Sequence, residues 1–177
     1  MPILSCPVPS NISTLNPNGF LFSIQKYPEL NYFIQEAPLP SISLGEATMM
    51  SSVHDFKMPG EALEFEDITF SFLVDEKMEN YLAIHDWMVG MGFPEDNKMY
   101  RDLMANSRNR QSYGDNSKAV SDCFLTILNS DNLPVKRFAF VDAFPKSLSG
   151  LTFQANNTDV QYLVAQVTMA YSFYTVT

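Results

Sequence analysis

The fold is decided by residues 63–74, which read LEFEDITFSFLV. From residue 68 onward every second side chain is apolar, which is the pattern of a β-strand that is buried on one face. Upstream the alternation has the opposite phase, because Leu63 and Phe65 are the apolar residues there. The inversion predicts a bulge or bend near Asp67, at which the chain leaves one sheet and enters another.

Further strands are predicted on both sides of this stretch, as short apolar or alternating runs bounded by turn residues. Before it, residues 20–27 and 31–37 predict two strands joined by a tight turn at Pro28. After it, the predicted elements are a hairpin of 121–128 and 135–141, a loop over 142–150 and a long strand over 160–176. The segment 41–60 has weak periodicity and predicts either a long loop or a loose hairpin.

One long helix is predicted between Asp75, a favourable N-cap, and Gly92, with Pro94 beyond it. Its apolar residues fall into two stripes. The first is Met78, Tyr81, Leu82, His85, Met88 and Val89, and the second is Ile84, Trp87 and Met91. A surface helix of a monomer needs only one apolar stripe, so we expect this helix to have two neighbours. The overall expectation is a mainly antiparallel β protein of about six or seven strands with one long α-helix packed on it.

The length of 177 residues is typical of one domain. Residues 1–19 hold four prolines among polar residues and predict a flexible N-terminal arm. Residues 20–177 then form a single β domain, in which the polar stretch 95–119 is interpreted as an insertion with a short helix near residues 99–104.

Hydrophobic residues make up 46% of the chain and charged residues 18%, which is too apolar for a disordered protein. The net charge of −9 argues against a cationic clamp on nucleic acid but is compatible with a surface that repels it. No apolar run reaches the roughly 20 residues of a membrane helix, and the first ten residues lack the marks of a signal peptide. Cys6 and Cys123 form neither a disulfide framework nor a metal motif. We therefore expect an acidic protein that is made inside the cell.

Motifs of catalysis are missing from the sequence. There is no G-x-S-x-G nucleophile elbow and no phosphate-binding loop, and neither His54 nor His85 lies in a metal-ligand motif. We interpret His85 as a packing histidine on the apolar helix stripe and Cys123 as a small core residue. Glu64 and Glu66 share a strand face and could act as an acid–base pair, but a solvated acidic stripe is the more common arrangement. The sequence predicts no enzyme, no metal and no cofactor.

A longer pattern links several of these segments. It runs from APLP (37–40) through the loop to MPG (58–60), continues as FEDIT (65–69) and reaches a helix that opens with Asp75 and carries Trp87. This order and spacing resembles the tail tube proteins of contractile-tailed bacteriophages. Their members share an L-P turn, a long loop, a P-G corner before an F-x-D-x-T strand, and a D-E helix with a tryptophan. The resemblance covers residues 20–92 well and 120–177 loosely.

The resemblance implies a β-sandwich or barrel-like subunit of which six form a ring, with rings stacked into the hollow inner tube of a contractile tail. Double-stranded DNA would pass through the lumen without specific binding. The implied partners are copies of the chain itself, the tail sheath protein, the tape-measure protein and the baseplate tube initiator. The implied location is the virion, assembled in the cytoplasm of the host bacterium. The same resemblance also fits the baseplate protein that initiates the tube, a paralogue of the same fold.

In this framework residues 43–60 are expected to be a long inter-subunit loop. The interface candidates are Met49, Met50 and Met58 on that loop and Ile84, Trp87 and Met91 on the helix. The candidates for an acidic lumen are Glu64, Glu66 and Asp67, because a lumen lined with carboxylates repels phosphates. An alternative of a different class is a small-ligand-binding β-barrel, which would need a mostly polar outer helix surface. The second helix stripe favours the tube over that alternative.

Overall fold

The computed structural model of the chain describes residues 14–51, 54–92, 98, 101, 119–154 and 162–177. Most of the predicted arm 1–19 and of the predicted insertion 95–119, with its helix near 99–104, lies outside these ranges. The strands are β1 Phe20–Ile24, β2 Ile34–Glu36, β3 Ile42–Met49, β4 Phe56–Phe65, β5 Ile68–Leu73, β6 Ser121–Leu128, β7 Pro134–Leu148, β8 Val164–Ala170 and β9 Phe173–Val176. The described ranges also contain helix α1, Glu79–Gly92, and a 3-10 helix, Pro28–Tyr32.

Seven of the strands form one antiparallel sheet in the order β1-β6-β7-β8-β5-β2, with β9 paired to β7. The strand β7 joins the two halves of this sheet, because its first half pairs with β6 and β9 and its second half pairs with β8. Between the halves Asp142 has a φ of 55°, at the point where the pairing changes partners. The sheet folds over there into a nearly closed, barrel-like sandwich. The predicted mainly β fold with a helix packed on it is confirmed.

The core lies inside the folded sheet and under α1. Its largest fully buried side chains are Trp87, Phe22, Phe70, Phe72 and Phe140. The rings of Phe22 and Phe70 lie 4.9 Å apart and join the two halves of the sheet. Along β5 every second residue is buried, as the alternation from residue 68 predicts. Aromatic side chains thus make up much of the described core.

The phase inversion near Asp67 is confirmed as a change of sheet. β4 ends at Phe65 and pairs with β3 in a separate two-stranded sheet. β5 starts at Ile68 and pairs with β8 and β2 in the large sheet. The segment 41–60, expected as either a loop or a hairpin, is therefore a hairpin, which we call the β3–β4 hairpin.

Three local predictions about the other strands are wrong. The 3-10 helix replaces the tight turn at Pro28, so that β1 joins β6 and β2 joins β5. The predicted loop 142–150 is mostly strand, because β7 continues to Leu148, with Lys146 and Ser147 both exposed where the pairing register shifts. The predicted C-terminal strand is interrupted where the Ser172 N–H donates to the Val141 carbonyl oxygen at 3.0 Å, and the chain passes from β8 to β9.

The predicted start of the helix is also wrong. Met78 has a φ of 57° and donates its N–H to the carbonyl oxygen of Asp75 at 2.9 Å, so the chain turns before the helix begins. The buried side chain of Asn80 organises this turn. Its Oδ1 accepts the N–H groups of Asp75 and Tyr81, and its Nδ2 donates to the Leu73 carbonyl oxygen at 2.7 Å. Asp75 is therefore a hydrogen-bond partner of the turn and not the N-cap.

Helix α1 packs across the ends of several strands. Trp87 Nε1 donates to the carbonyl oxygen of Ala119, before β6, at 2.6 Å, and the Tyr81 hydroxyl donates to that of Ser149, after β7, at 3.1 Å. The helix follows the end of β5, whereas the β3–β4 hairpin precedes its start. The helix and the hairpin therefore lie at opposite ends of β5. Within the described ranges, no helix combines the length and the apolar character that a membrane span requires.

Candidate assembly interface

The β3–β4 hairpin exposes far more apolar surface than a two-stranded sheet can bury on its own. Among the described residues its strands pair only with each other, and a bond from the Glu66 N–H to the Ser41 carbonyl oxygen closes its base at 3.1 Å. Its exposed large apolar side chains are Ile42, Leu44, Met49, Met50, Phe56, Met58 and Leu63. An isolated hairpin is marginally stable in water, and contiguous exposed apolar patches mark interaction sites. The hairpin is therefore the candidate assembly interface.

The base of the hairpin is fixed to the body by aromatic contacts. The ring centroid of Phe65 lies 5.4 Å from that of Tyr174 and 6.2 Å from that of Tyr171. Both tyrosines also contact Phe140, a fully buried core residue. Burial, followed by the nearby Tyr174 and carboxylates, raises the pKa of Tyr171 to about 12. The hairpin is thus anchored to the body at its base.

The loop methionines of the predicted interface lie on this hairpin. Met49 in β3 and Met58 in β4 are 56% and 49% exposed, and Met50 in the turn is 87% exposed. Methionine side chains are flexible and polarizable, so they adapt to irregular partner surfaces. Their role in subunit contacts stays a prediction.

The helix part of the predicted interface needs correction. Ile84 and Trp87 are each 1% exposed and belong to the core of this chain, and Met91 is partly buried against the same core. The stripe that we assigned to a second neighbour is the one that holds α1 to the sheet. Of the first stripe, Leu82 is 46% exposed, and the side chain of His85 is 52% exposed. The interpretation of His85 as a packing histidine is therefore wrong.

The three acidic lumen candidates lie near the junction of the two sheets in different environments. Glu64 is exposed on β4 opposite Ser43, and Glu66 is exposed between the sheets. Asp67 is half-buried, and its Oδ2 accepts a hydrogen bond from Lys146 Nζ at 2.7 Å. The charge of Asp67 is thus balanced locally, whereas those of the two glutamates face solvent.

The other chemically reactive side chains singled out in the sequence, Cys123 and His85, have different surroundings. Cys123 is fully buried in β6, as expected of a core residue, and burial raises the pKa of its thiol. Nδ1 of His85 lies 3.2 Å from Oδ1 of Asp86 on the exposed side of α1. In the described part of the chain, no group of three or more His, Cys, Asp or Glu side chains is arranged to hold a metal ion.

Two features were missed by the sequence patterns. Lys26 Nζ lies 4.6 Å from the centre of the Trp87 ring without a hydrogen-bond partner among the described residues, and burial lowers its pKa to about 8. A shallow groove of about 340 Å³ lies between the two end strands of the sheet. It is lined mainly by Leu15–Phe20, Gln35–Leu39 and the side chains of Leu125 and Ile127. Only the topology, which brings β1 and β2 together, reveals this groove.

Comparison with known protein families decides what kind of protein this is. The model of the phage tail tube protein family matches residues 4–177. The chain belongs to the phage tail tube protein family. The resemblance seen in the sequence is thereby confirmed, and this tail tube protein belongs to a class of structural proteins. No curated protein matches it in sequence.

Solved structures similar to this tail tube protein confirm the fold. A chain of the tube-terminating cap of the anti-feeding prophage is 18% identical, with 100% of this chain and 99% of that chain covered and a TM-score of 0.56. A chain of the sheath–tube complex of the PVC extracellular contractile injection system is 17% identical, with 93% and 91% covered and a TM-score of 0.53. A chain of the anti-feeding prophage baseplate is 13% identical, with 93% and 96% covered and a TM-score of 0.54.

Proposed function

We propose that this tail tube protein forms rings of six copies that stack into the hollow inner tube of a contractile phage tail, through which double-stranded DNA is ejected. The observation that carries the proposal is the β3–β4 hairpin, whose exposed apolar side chains a neighbouring copy would remove from water. The family supports a tube subunit, and the sheath–tube complex of the similar structure supports a contractile tail.

The asymmetry of the subunit suits a stacked ring. Helix α1 lies at the end of β5 and the hairpin at its start, so the two ends of the subunit present different surfaces. Contacts between different surfaces are head-to-tail contacts, which close into rings by rotation and extend by stacking. The end strands β1 and β2 also offer sheet edges that pairing with neighbours would cover.

The assembly is tested by removing the hairpin. Replacing residues 43–59 by a short turn should leave a folded monomer, seen by circular dichroism and size-exclusion chromatography, that forms no tubes in negative-stain micrographs. The matched control is Tyr32→Ser, which removes an apolar side chain that is 89% exposed outside the hairpin and should leave tubes intact. Normal tubes from the shortened protein would contradict the proposal.

The acidic candidates are proposed to keep the lumen non-adhesive. A chain of net charge −9 repels phosphates, whereas each basic contact would add salt-dependent affinity for DNA. Reversing the two exposed charges, with Glu64→Lys and Glu66→Lys together, should slow or stall genome release from assembled particles. Asp67→Asn is the comparison, because Lys146 already balances that charge. Normal infectivity of the double variant would show that the glutamates face elsewhere.

A second candidate is the baseplate protein that initiates the tube. The observation that supports this second function is the similar fold of a chain in the anti-feeding prophage baseplate. Quantitative mass spectrometry of purified particles separates the two functions: a tube subunit is an abundant component, whereas an initiator is present once, as a single ring. We propose the abundant subunit, with the tail sheath outside, the tape-measure protein inside before DNA enters, and assembly in the host cytoplasm.

A further inference from the structure

The apolar side chains of the β3–β4 hairpin change faces half-way along it. Near the body the pairs are Ile42 with Phe65 and Leu44 with Leu63, which alternation places on one face of the ribbon. Near the turn the pairs are Ala47 with Met58 and Met49 with Phe56, which alternation places on the opposite face. We call these sets of four residues the base face and the tip face.

The polar residues of the hairpin change faces in the opposite sense. Glu46 lies on the same side of β3 as Leu44, and its carboxylate accepts hydrogen bonds from Lys57 Nζ at 2.9 and 3.0 Å across the strands. Near the body, Ser43 pairs with Glu64 on the side opposite the base face. Each half of the ribbon therefore has one apolar and one polar face, and the two halves are oppositely oriented.

The change of faces occurs where two glycines touch. The register skips from the pair Leu44–Leu63 to the pair Glu46–Pro59, which leaves extra residues in β4. At this point a Cβ on Gly60 would lie 2.6 Å from the carbonyl oxygen of Gly45, so only glycine allows the two backbones to approach. We call this point the glycine crossover.

One surface cannot cover both halves of such a ribbon. On the base face, Phe65 packs on Tyr171 and Tyr174 of the same chain. The tip face is turned to the other side of the ribbon, and its large side chains, Met49, Phe56 and Met58, remain about half exposed. Of the base face, Phe65 is the residue held in this way, and Ile42, Leu44 and Leu63 are also about half exposed. Because the tip face is on the side of the ribbon opposite Phe65, the body that holds Phe65 leaves the tip face to a different surface.

We propose that the tip face of one copy docks into the groove between β1 and β2 of a second copy, while Phe65 holds the base of the hairpin on its own body. This inference rests on the proposed tube function. The tip face carries no charge, and among the described residues that line the groove Glu36 is the one charged residue. The ion pair of Glu46 with Lys57 balances the charges beside the tip face. Each chain has a net charge of −9, so two copies repel each other overall. Among the described residues of the tip face and the groove, however, Glu36 is the one unbalanced charge, so this contact brings little repulsion.

Two neighbouring positions on β3 test the tip face. Met49→Lys places a charge on the tip face, and Thr48→Lys places the same charge on the opposite side of the ribbon. Because burying an unpaired ammonium is costly, Met49→Lys should raise the concentration needed for assembly at least about tenfold, and Thr48→Lys should leave it within about twofold. Equal effects of the two substitutions overturn the inference. Failure of the unsubstituted protein to assemble instead overturns the proposed function.

Cross-linking identifies the surface that receives the tip. A photo-reactive amino acid replaces Met49, or Thr48 as the matched control, in assemblies mixed from isotopically light and heavy chains. The expected products join position 49 of one chain to residues 15–20 or 35–39 of another, and the control gives few of them. Products within a single chain, or to another surface of the second copy, overturn the docking.

Discussion

The ring of Phe65, the last residue of β4, lies edge-on to the ring of Tyr174 in β9, with centroids 5.4 Å apart. Through this contact the hairpin is held by the C-terminal strand and, through Tyr174, by Phe140 of the core. The hairpin strands otherwise make little contact with the described body. The orientation of the hairpin therefore depends on a few aromatic side chains.

Phe65→Ala should loosen the hairpin and leave the body folded. An aromatic pair contributes about 0.5–1.5 kcal/mol beyond its area, so we expect a loss of about 1–2 kcal/mol in urea unfolding. Amide hydrogen exchange should rise in β3 and β4 and not in β5. Leu63→Ala is the control, because Leu63 lies on the same face but is half exposed. Unchanged exchange in the Phe65 variant would show that the ring does not anchor the hairpin.

Trp87→Ala should destabilise the protein as a core substitution and not as an interface substitution. The indole is 1% exposed and its Nε1 bonds to Ala119, so we expect a loss of about 3–5 kcal/mol in the free energy of unfolding. Leu82→Ala, on the exposed side of α1, should cost less than about 1 kcal/mol. Thermal unfolding of the monomer measures both. If the Trp87 variant is as stable as the unsubstituted protein but does not assemble, Trp87 acts at a subunit interface as the sequence predicted.

Gly60→Ala should disrupt the hairpin at the glycine crossover. The added Cβ would meet the Gly45 carbonyl oxygen at 2.6 Å, and the strands must separate to admit it. Overpacking of this kind costs about 1–3 kcal/mol. Hydrogen exchange of the amides that pair β3 with β4 should increase. Gly150→Ala is the matched control, because its Cβ would meet nothing within 4 Å. Equal hydrogen-exchange protection of these amides in the Gly60 and Gly150 variants would contradict the close approach of Gly60 to Gly45.

The stability should rise with pH because of Lys26. Its pKa is lowered by burial from 10.5 to about 8 in the folded protein, so between these values the unfolded chain binds the proton and the folded chain does not. The urea midpoint should increase from pH 8 to pH 9.5 relative to Lys26→Met, which should be the more stable protein at pH 7. Lys77→Met, with a side chain that is 78% exposed, should show no such difference. If the urea midpoint changes with pH in the same way in all three proteins, Lys26 does not cause the rise in stability.

The change of sheet at Asp67 could be predicted because the alternation of apolar residues that signals it lies within a short stretch of sequence. The phase of alternation inverts within a few residues, and each phase belongs to a different sheet. Family membership could also be predicted, since the order of the motifs from Ala37 to the helix with Trp87 carries it. The weak periodicity of 41–60 is explained by the glycine crossover, because a hairpin whose apolar face changes sides has no single period along its length.

The wrong predictions concern residues whose burial or pairing depends on a distant segment, which the local sequence pattern does not identify. Apolar residues of α1 show that Ile84 and Trp87 are buried but not whether their own sheet or a second copy buries them. The sequence around Lys146 and Ser147 resembles a loop because both residues are polar and exposed at a register shift, and pairing with the distant β8 keeps the segment in a strand. The groove depends on the meeting of β1 and β2, which no local pattern contains.

The strand β7 has a consequence for how the subunit comes apart. Its single backbone pairs with β6 and β9 up to Ala143 and with β8 from Phe144 onward. Detaching β7 would therefore dismantle both halves of the sheet at once, so the body should lack a partly opened form that keeps either half intact. The amides of β7 should exchange only in complete unfolding events.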